Sequence, residues 1–340
     1  MRVPFLRRPA RFLKGEALYR DTEYCLGFLR NLRSRSRRSH RERLWAHAYW
    51  QGELGAKPVL SLKSFLATQD PAQFSICLWL EETAGFPEHH TNPHLAPLLP
   101  LITVKPFSAV REAARTPLAP VDGDIPEIAR QKSILLNGGK DSVNHSNTFR
   151  QLILYKYGGI YFDLDVLFLR DLRLLFDALR IEEFCYRWAL EPYANSALLK
   201  LHQQSRLAQR LLLKGIRLGS YKPRLLLNFD DRNLDMWVLP SGFFDPFWLS
   251  FDVHDASPPR YFQSFADFFG PSRTACSFDE FYAGAFAYHW HNQWNAAELR
   301  DSFAGRFNWE IDQRLRNARA VQPACSFTQA HTREAPEESP

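Results

Sequence analysis

"NTFRQLILYKYGGIYFDLDVLFL", Asn147 to Leu169, carries two aspartates, Asp163 and Asp165, inside a strongly apolar stretch. Strand interiors disfavour Asp, and a buried carboxylate is costly unless it is paired or bound to a metal. The residues leading into them read as a helix. Cap-type residues stand at Ser142, Asn144 and Ser146, apolar positions recur at Phe149, Leu152, Ile153 and Tyr157, and Gly158 sits where a glycine ends a helix. A strand follows at once, with Ile160, Phe162, Leu164 and Val166 alternating with Tyr161, Asp163 and Asp165. Side chains two apart share a strand face, so both carboxylates are expected to point the same way. In open α/β sheets ligands sit beyond the carboxyl ends of the strands. Two carboxylates there suit Mn²⁺ or Mg²⁺, which take a few protein oxygens and use phosphate oxygens for the rest. Asp-x-Asp alone is weak, since about one is expected by chance in a chain of this length. Asp122-Gly-Asp124, in a Pro/Gly loop, reads as a turn.

Outward from this block, strands alternate with helices. Ala46 to Trp50 and Phe74 to Leu80 read as strands, Pro58 to Thr68 as a helix, Leu101 to Val104 as a strand and Ser108 to Thr116 as a helix. Such alternation predicts a largely parallel sheet. Another helix is expected over Asp171 to Leu179, and "NSALLKLHQQSRLAQRLLLKGI" reads as one long helix. "MWVLPSGFFDPFW" reads as a strand leading into an aromatic loop, and "FAYHWHNQWN" as a loop-like cluster. "AELRDSFAGRFNWEIDQRLRN" reads as a closing helix.

The 340 residues, 45% hydrophobic and 14% aromatic, describe a globular chain with a substantial core. No run approaches the roughly eighteen apolar residues of a membrane span, and the N-terminus has no apolar signal region. Five scattered cysteines without a pairing rhythm fit reduced thiols in a cytoplasmic protein. The charge is uneven. Residues 1–43 hold 13 Lys/Arg against 4 Asp/Glu, a net +9, whereas the rest of the chain is net −3. The expected division is a basic, partly helical arm over 1–43, a single domain over 44–317 and a disordered tail over 318–340. Residues 17–32 suit an amphipathic helix with Leu18, Thr22, Cys25, Leu26 and Leu29 on one side. An anionic membrane surface is therefore a candidate partner for the arm. Nucleic acid is not the expected one, because aromatic residues for base stacking are not interleaved with the arginines.

Asn147 to Leu172 resembles the DXD sugar-binding region of the retaining glycosyltransferases grouped around family 32. That group includes α1,4-galactosyltransferases acting on lactosylceramide and, more distantly, clostridial glucosylating toxins. "AYWQG" at Ala48, "SAVREAARTPLAP" at Ser108, "VLPSGFFDPFW" at Val238 and "AYHWHNQW" at Ala287 are similar to further family segments. The resemblance covers Ala46 to about Trp294. It implies a GT-A fold, that is, an α/β Rossmann-like, mostly parallel sheet flanked by helices in a single nucleotide-sugar-binding domain.

What the resemblance implies about the site is specific. Asp163 and Asp165 match the DXD pair, with His289 and Asn292 completing the metal set. Trp50, Asn147, Arg150, Tyr161, Asp163 and Trp294 would bind the donor, with Trp50 stacking on uracil and Trp294 closing over the diphosphate. Asp163, Asp165 and Arg150 would carry the catalysis. Asn147 stands where the family usually has Asp, and Gln293 where it has Ser. The implied activity is a metal-dependent retaining transfer of galactose, glucose or an N-acetylated form from a UDP-sugar. The acceptor would be the hydroxyl of a glycan or lipid-linked glycan, at the inner face of a membrane. The alternative is a non-catalytic sugar-nucleotide or polyanion binder on the same fold. Asp230, Asp231 and Asp245 read as solvated loop residues that could otherwise face an acceptor.

Overall fold

The structure, a computed structural model, describes residues 11–33, 43–82, 86–119, 123, 126–136, 142–188, 191–250, 261 and 263–321. Ten strands are formed by the described residues: β1 Arg11–Phe12, β2 Leu44–Trp50, β3 Phe74–Glu81, β4 Thr103–Phe107, β5 Gly159–Phe162, β6 Val166–Phe168, β7 Phe184–Arg187, β8 Ala194–Leu201, β9 Trp237–Leu239 and β10 Ala287–His289. The helices are α1 Thr22–Arg30, α2 Ala56–Thr68, α3 Ala109–Ala113, α4 Pro126–Leu136, α5 Ser142–Tyr157, α6 Arg173–Leu179, α7 Arg206–Leu218, α8 Pro223–Leu226, α9 Pro246–Ser250 and α10 Phe303–Val321.

Eight strands make one sheet in the order β1-β9-β7-β8-β5-β2-β3-β4. β4, β3, β2 and β5 are mutually parallel, β8 runs antiparallel to both its neighbours, and β9 is parallel to β7 and β1. The alternation of each strand is visible in what it buries. Ala46 and Ala48, Leu78 and Leu80, and Ile160 and Phe162 face one apolar layer. Tyr49, Cys77, Trp79 and Tyr161 face the other. Both faces are covered, as in a parallel sheet whose crossovers are helices. This is the expected α/β architecture of a mostly parallel sheet flanked by helices. The four described cysteines are free.

Two consecutive glycines set the approach of α5 to the sheet. Gly158 and Gly159 have φ of +67° and +99°. A Cβ at Gly159 would lie 2.3 Å from the Trp45 carbonyl oxygen, and one at Gly158 would lie 2.6 Å from the backbone nitrogen of Gln203. Only glycine tolerates both the conformation and the space.

Several sequence expectations are corrected. The strand through Asp163 and Asp165 is not continuous. β5 ends at Phe162, residues 163–165 turn, and β6 leaves the large sheet to pair antiparallel with β10. The turn is closed by Val166 N donating to Asp163 O at 3.2 Å. β8 occupies the first third of what reads as one long helix. Its Ala, Leu and Lys residues favour helix, but all eight positions are buried between β5 and β7, and that packing overrides propensity. β10 makes a strand of part of the cluster read as a loop.

The N-terminal segment is not a free arm over its described part. β1 joins the large sheet through Arg11↔Trp237 and Phe12↔Val238. Of the helix expected over 17–32, α1 forms only Thr22–Arg30, after a separate 3-10 turn at Glu16–Tyr19, and Thr22, Cys25, Leu26 and Leu29 are buried, the last three in the main core. That face is therefore taken by the fold rather than offered to a membrane. Most of the arginine-rich centre, residues 34–42, lies outside the described residues, as do Asp122, Asp124 and the tail from 322. No helix among the described residues is long and apolar enough to cross a membrane.

Gly159→Ala should lower the unfolding free energy by about 3 kcal/mol, the strained φ and the close carbonyl adding together. Urea denaturation checks this. An unchanged midpoint would mean that α5 does not need its close approach.

Candidate active site

The turn from Asp163 to Asp165 lies at the carboxyl end of β5, on the floor of a cleft of about 270 Å³. Trp50 and Gln51, at the carboxyl end of β2, line one side, with Val143, Ser146 and Arg150 from α5. Asn292 and Trp294, from the loop after β10, complete it. The two carboxylates share this cleft, but they are held by different elements.

Asp163 is tied to α5. Its Oδ1 accepts from Arg150 Nη2 at 3.0 Å and from the Tyr161 hydroxyl. Arg150 is fixed in turn, donating to Ser196 O at 2.9 Å, Ser196 Oγ at 2.8 Å and Ser146 Oγ at 3.0 Å. Its guanidinium also stacks 4.5 Å from the Tyr161 ring centre. Burial pushes the Asp163 pKa up, and the charge of Asp165 adds to that push, while Arg150 opposes it. The net direction is upward, with burial the largest cause.

Asp165 is tied to the loop after β10. Its Oδ2 lies 3.1 Å from His289 Nε2 and accepts from Asn292 N at 2.8 Å. Burial by itself would raise the Asp165 pKa, but the imidazole and the Asn292 amide outweigh it and bring the value to about 2. Burial would lower that of His289, and Asp165 with Asp245 reverses this, to about 9. Asp165 Oδ1 is buried and has no hydrogen-bond partner among the described residues. A buried acceptor of full charge needs a cation or donor. That unpartnered oxygen, on a residue that lines the cleft together with a second carboxylate, fits a hard divalent cation.

His289 and Asn292 bear on Asp165 in this geometry. His289 sits behind it, outside the cleft lining, with Nδ1 3.0 Å from the Tyr186 hydroxyl. Asn292 does line the cleft, and its side-chain oxygen accepts from Trp294 Nε1 at 3.1 Å. His291 and Asn292 are both left-handed, with φ of +51° and +56°. Asn and His are among the residues that tolerate this region best, and the conformation aims the Asn292 amide at Asp165. Trp50 and Trp294 meet edge to face, ring centres 5.0 Å apart, with Trp50 Nε1 donating to Glu53 O at 2.9 Å. Asn147 is buried on α5 and is not part of the cleft lining, whereas Ser146 beside it is.

Three residues here were not legible as site residues. Asp245 is buried, not solvated. It lies 2.6 Å from His291 Nε2 and 3.8 Å from His289 Nδ1. Asp245, His289 and His291 form a group whose ligand atoms all lie within 4.8 Å and could hold a metal ion. The sequence signal was an aspartate between aromatics, "GFFDPFW", paired with two histidines at i and i+2. Lys57 is the third. It is buried at the start of α2 and donates to the carbonyls of Gln293, Trp294 at 3.1 Å and Ala296 at 2.5 Å. An ammonium spent on three carbonyls of one loop pins the segment that carries Trp294. Asp230 is exposed, and Asp231 is bound to Lys214.

Arg150→Met should destabilise the protein by about 3 kcal/mol, because it leaves Asp163 without its counter-charge. Arg150→Lys should recover part of that loss but not the forked contacts to Ser196. Chemical denaturation of both variants measures it, and equal stability of Arg150→Met and wild type would contradict the pairing.

Residues 35–185 match the family model described as "Glycosyltransferase sugar-binding region containing DXD motif". The match includes Trp50, Arg150, Asp163 and Asp165, and the loop carrying His289 to Trp294 lies beyond it. No curated protein matches the chain in sequence. Among solved structures the chain is similar to the PaToxG glycosyltransferase at 14% identity and a TM-score of 0.40, over 62% of this chain and 72% of that one. It is also similar to the apo form of the bifunctional glycosyltransferase WbbM, at 9% identity and a TM-score of 0.44. That likeness covers 82% of this chain and 53% of the WbbM chain. The residues that build the floor and one wall of the cleft lie within the part of the chain that matches the DXD-containing glycosyltransferase sugar-binding region, and the chain is a glycosyltransferase.

Proposed function

We propose that the chain is a metal-dependent retaining hexosyltransferase. It moves galactose, glucose or an N-acetylated form from a UDP-sugar to a hydroxyl of a glycan or lipid-linked glycan. The observation that carries this reading is the carboxylate pair on one cleft floor, with buried Asp165 Oδ1 unpartnered. Mn²⁺ or Mg²⁺ held by Asp163 and Asp165 would supply positive charge to a leaving diphosphate.

The chain's own residues do the rest. His289 and the Asn292 amide hold Asp165 ionised and aimed at the cleft. Arg150 and Tyr161 fix the orientation of Asp163, so the site is organised before substrate arrives. Trp50 offers an aromatic wall for the uracil, and Trp294, edge to face against it, closes over the diphosphate. Ser146 and Arg150, which line the cleft, would orient the sugar. Retention follows from the family resemblance, with front-face attack in which the departing diphosphate takes the acceptor proton.

Lys57 enters as a positioning residue. Lys57→Met should raise the donor KM on the order of tenfold with kcat little changed, because it frees the Trp294 loop rather than altering the floor. Steady-state kinetics at varied donor would show this, and an effect confined to kcat would contradict it. The reading as a whole is tested by thermal shift with UDP-galactose, UDP-glucose and their N-acetylated forms. One of these donors should raise the Tm of wild type only with Mn²⁺ present, and should leave Asp165→Asn unmoved. Stabilisation that persists in chelator would contradict metal dependence, and no response to any UDP-hexose would contradict the donor class.

A further inference from the structure

From Arg206 to Leu226 the chain holds Arg206, Arg210, Lys214, Arg217, Lys222 and Arg224 and no Asp or Glu. α7 is strongly two-faced. Leu207, Ala208, Leu211, Leu212, Gly215 and Ile216 are buried, packing toward α5 and α4. The outward face carries Arg206, Arg210 and Arg217 around Leu213, and Leu218 follows at the helix end. α8 adds Arg224 and Leu225. Leu213, Leu218 and Leu225 are 38%, 46% and 41% exposed. Lys214 is spent on Asp231 at 2.6 Å and on Leu226 O at 2.8 Å. Arg206, Arg210, Arg217, Lys222 and Arg224 form no ion pair with another described residue.

The fold brings the α8 end of this surface to the cleft's end of the sheet. β8 runs antiparallel to β5, so its first residues lie where β5 delivers Asp163. Asp163 N donates to Ala197 O at 2.8 Å. Just before this, Ala194 N donates to Leu227 O at 3.1 Å, and Tyr193 bridges to Asn228. The end of α8 is therefore pinned beside the strand that flanks the cleft floor.

We infer that the outward face of α7 and α8 docks on an anionic phospholipid bilayer, leaving the cleft mouth close to the lipid surface. Unpaired arginines attract anionic headgroups, and leucines standing among them enter the headgroup–acyl boundary. Charge complementarity selects the anionic lipid, and the exposed leucines argue against nucleic acid, which would call for stacking aromatics. The helix α1 cannot serve in this way, because its apolar face is already buried. The inference stands on this surface alone and does not need the donor chemistry.

The test uses the full chain co-sedimented with phosphatidylcholine vesicles, with and without phosphatidylglycerol. Binding is expected only to the phosphatidylglycerol vesicles. The triple variant Arg210→Gln, Arg217→Gln, Arg224→Gln should lower the partition coefficient on the order of a hundredfold. Leu213→Ser with Leu218→Ser should lower it at least about tenfold. Circular dichroism should match wild type in both, and a variant with Arg35, Arg37, Arg38 and Arg41 changed to Gln should keep most of the binding. The inference is overturned if no anionic-lipid binding occurs, if only the N-terminal variant loses it, or if the α7–α8 arginines bind an oligonucleotide but not vesicles.

Discussion

Two carboxylates separated by one leucine are held on one cleft floor by two opposed sets of donors, and the rest of the site is arranged around that constraint. Arg150 and Tyr161 take Asp163 from the α5 side. His289 and the Asn292 amide take Asp165 from the side of the second sheet. Like charges this close repel strongly in a low-dielectric site, so each needs its own partner. The turn after β5 allows this, because it ends the strand alternation and lets the two side chains reach different elements. A continuous strand would have placed both on one face, competing for the same cations.

The loop from His289 to Ala296 connects charge, aromatic wall and main chain. His289 and the Asn292 amide set Asp165, and the Asn292 side chain takes the Trp294 indole. Lys57 holds the carbonyls of Gln293, Trp294 and Ala296 from α2. Left-handed backbone at His291 and Asn292 costs on the order of 1 kcal/mol for each residue. The hydrogen bonds to Asp165 and Asp245 offset it. The family match ends at residue 185, so this loop, which completes the cleft, lies outside it.

Sequence patterning made the helix-to-strand block readable because three independent signals coincide there: amphipathic spacing, a glycine stop and charge in an apolar run. Trp50, Arg150, Asp163, Asp165, Asn292 and Trp294 do converge on one cleft. The pattern failed where burial rather than periodicity decides. β8 is buried at every position, so alternation cannot mark it and propensity points the wrong way. β1 is two residues long and has no pattern to read. Asp245 looked solvated because a single aspartate in a loop usually is, and only the tertiary meeting with His291 shows otherwise. The amphipathic spacing of α1 was correctly read, but spacing cannot tell a face that meets lipid from one that meets the protein's own core.

The central claim is that the Asp163–Asp165 turn is a divalent-cation site and not a self-sufficient charge network. Titration of Mn²⁺ into the protein with UDP present, followed by the loss of the free-ion electron paramagnetic resonance signal, measures it directly. The account predicts one site per chain, abolished by Asp165→Asn and retained when Asp122 and Asp124 are both changed to Asn. Undiminished binding by Asp165→Asn, or no binding by wild type, would contradict it.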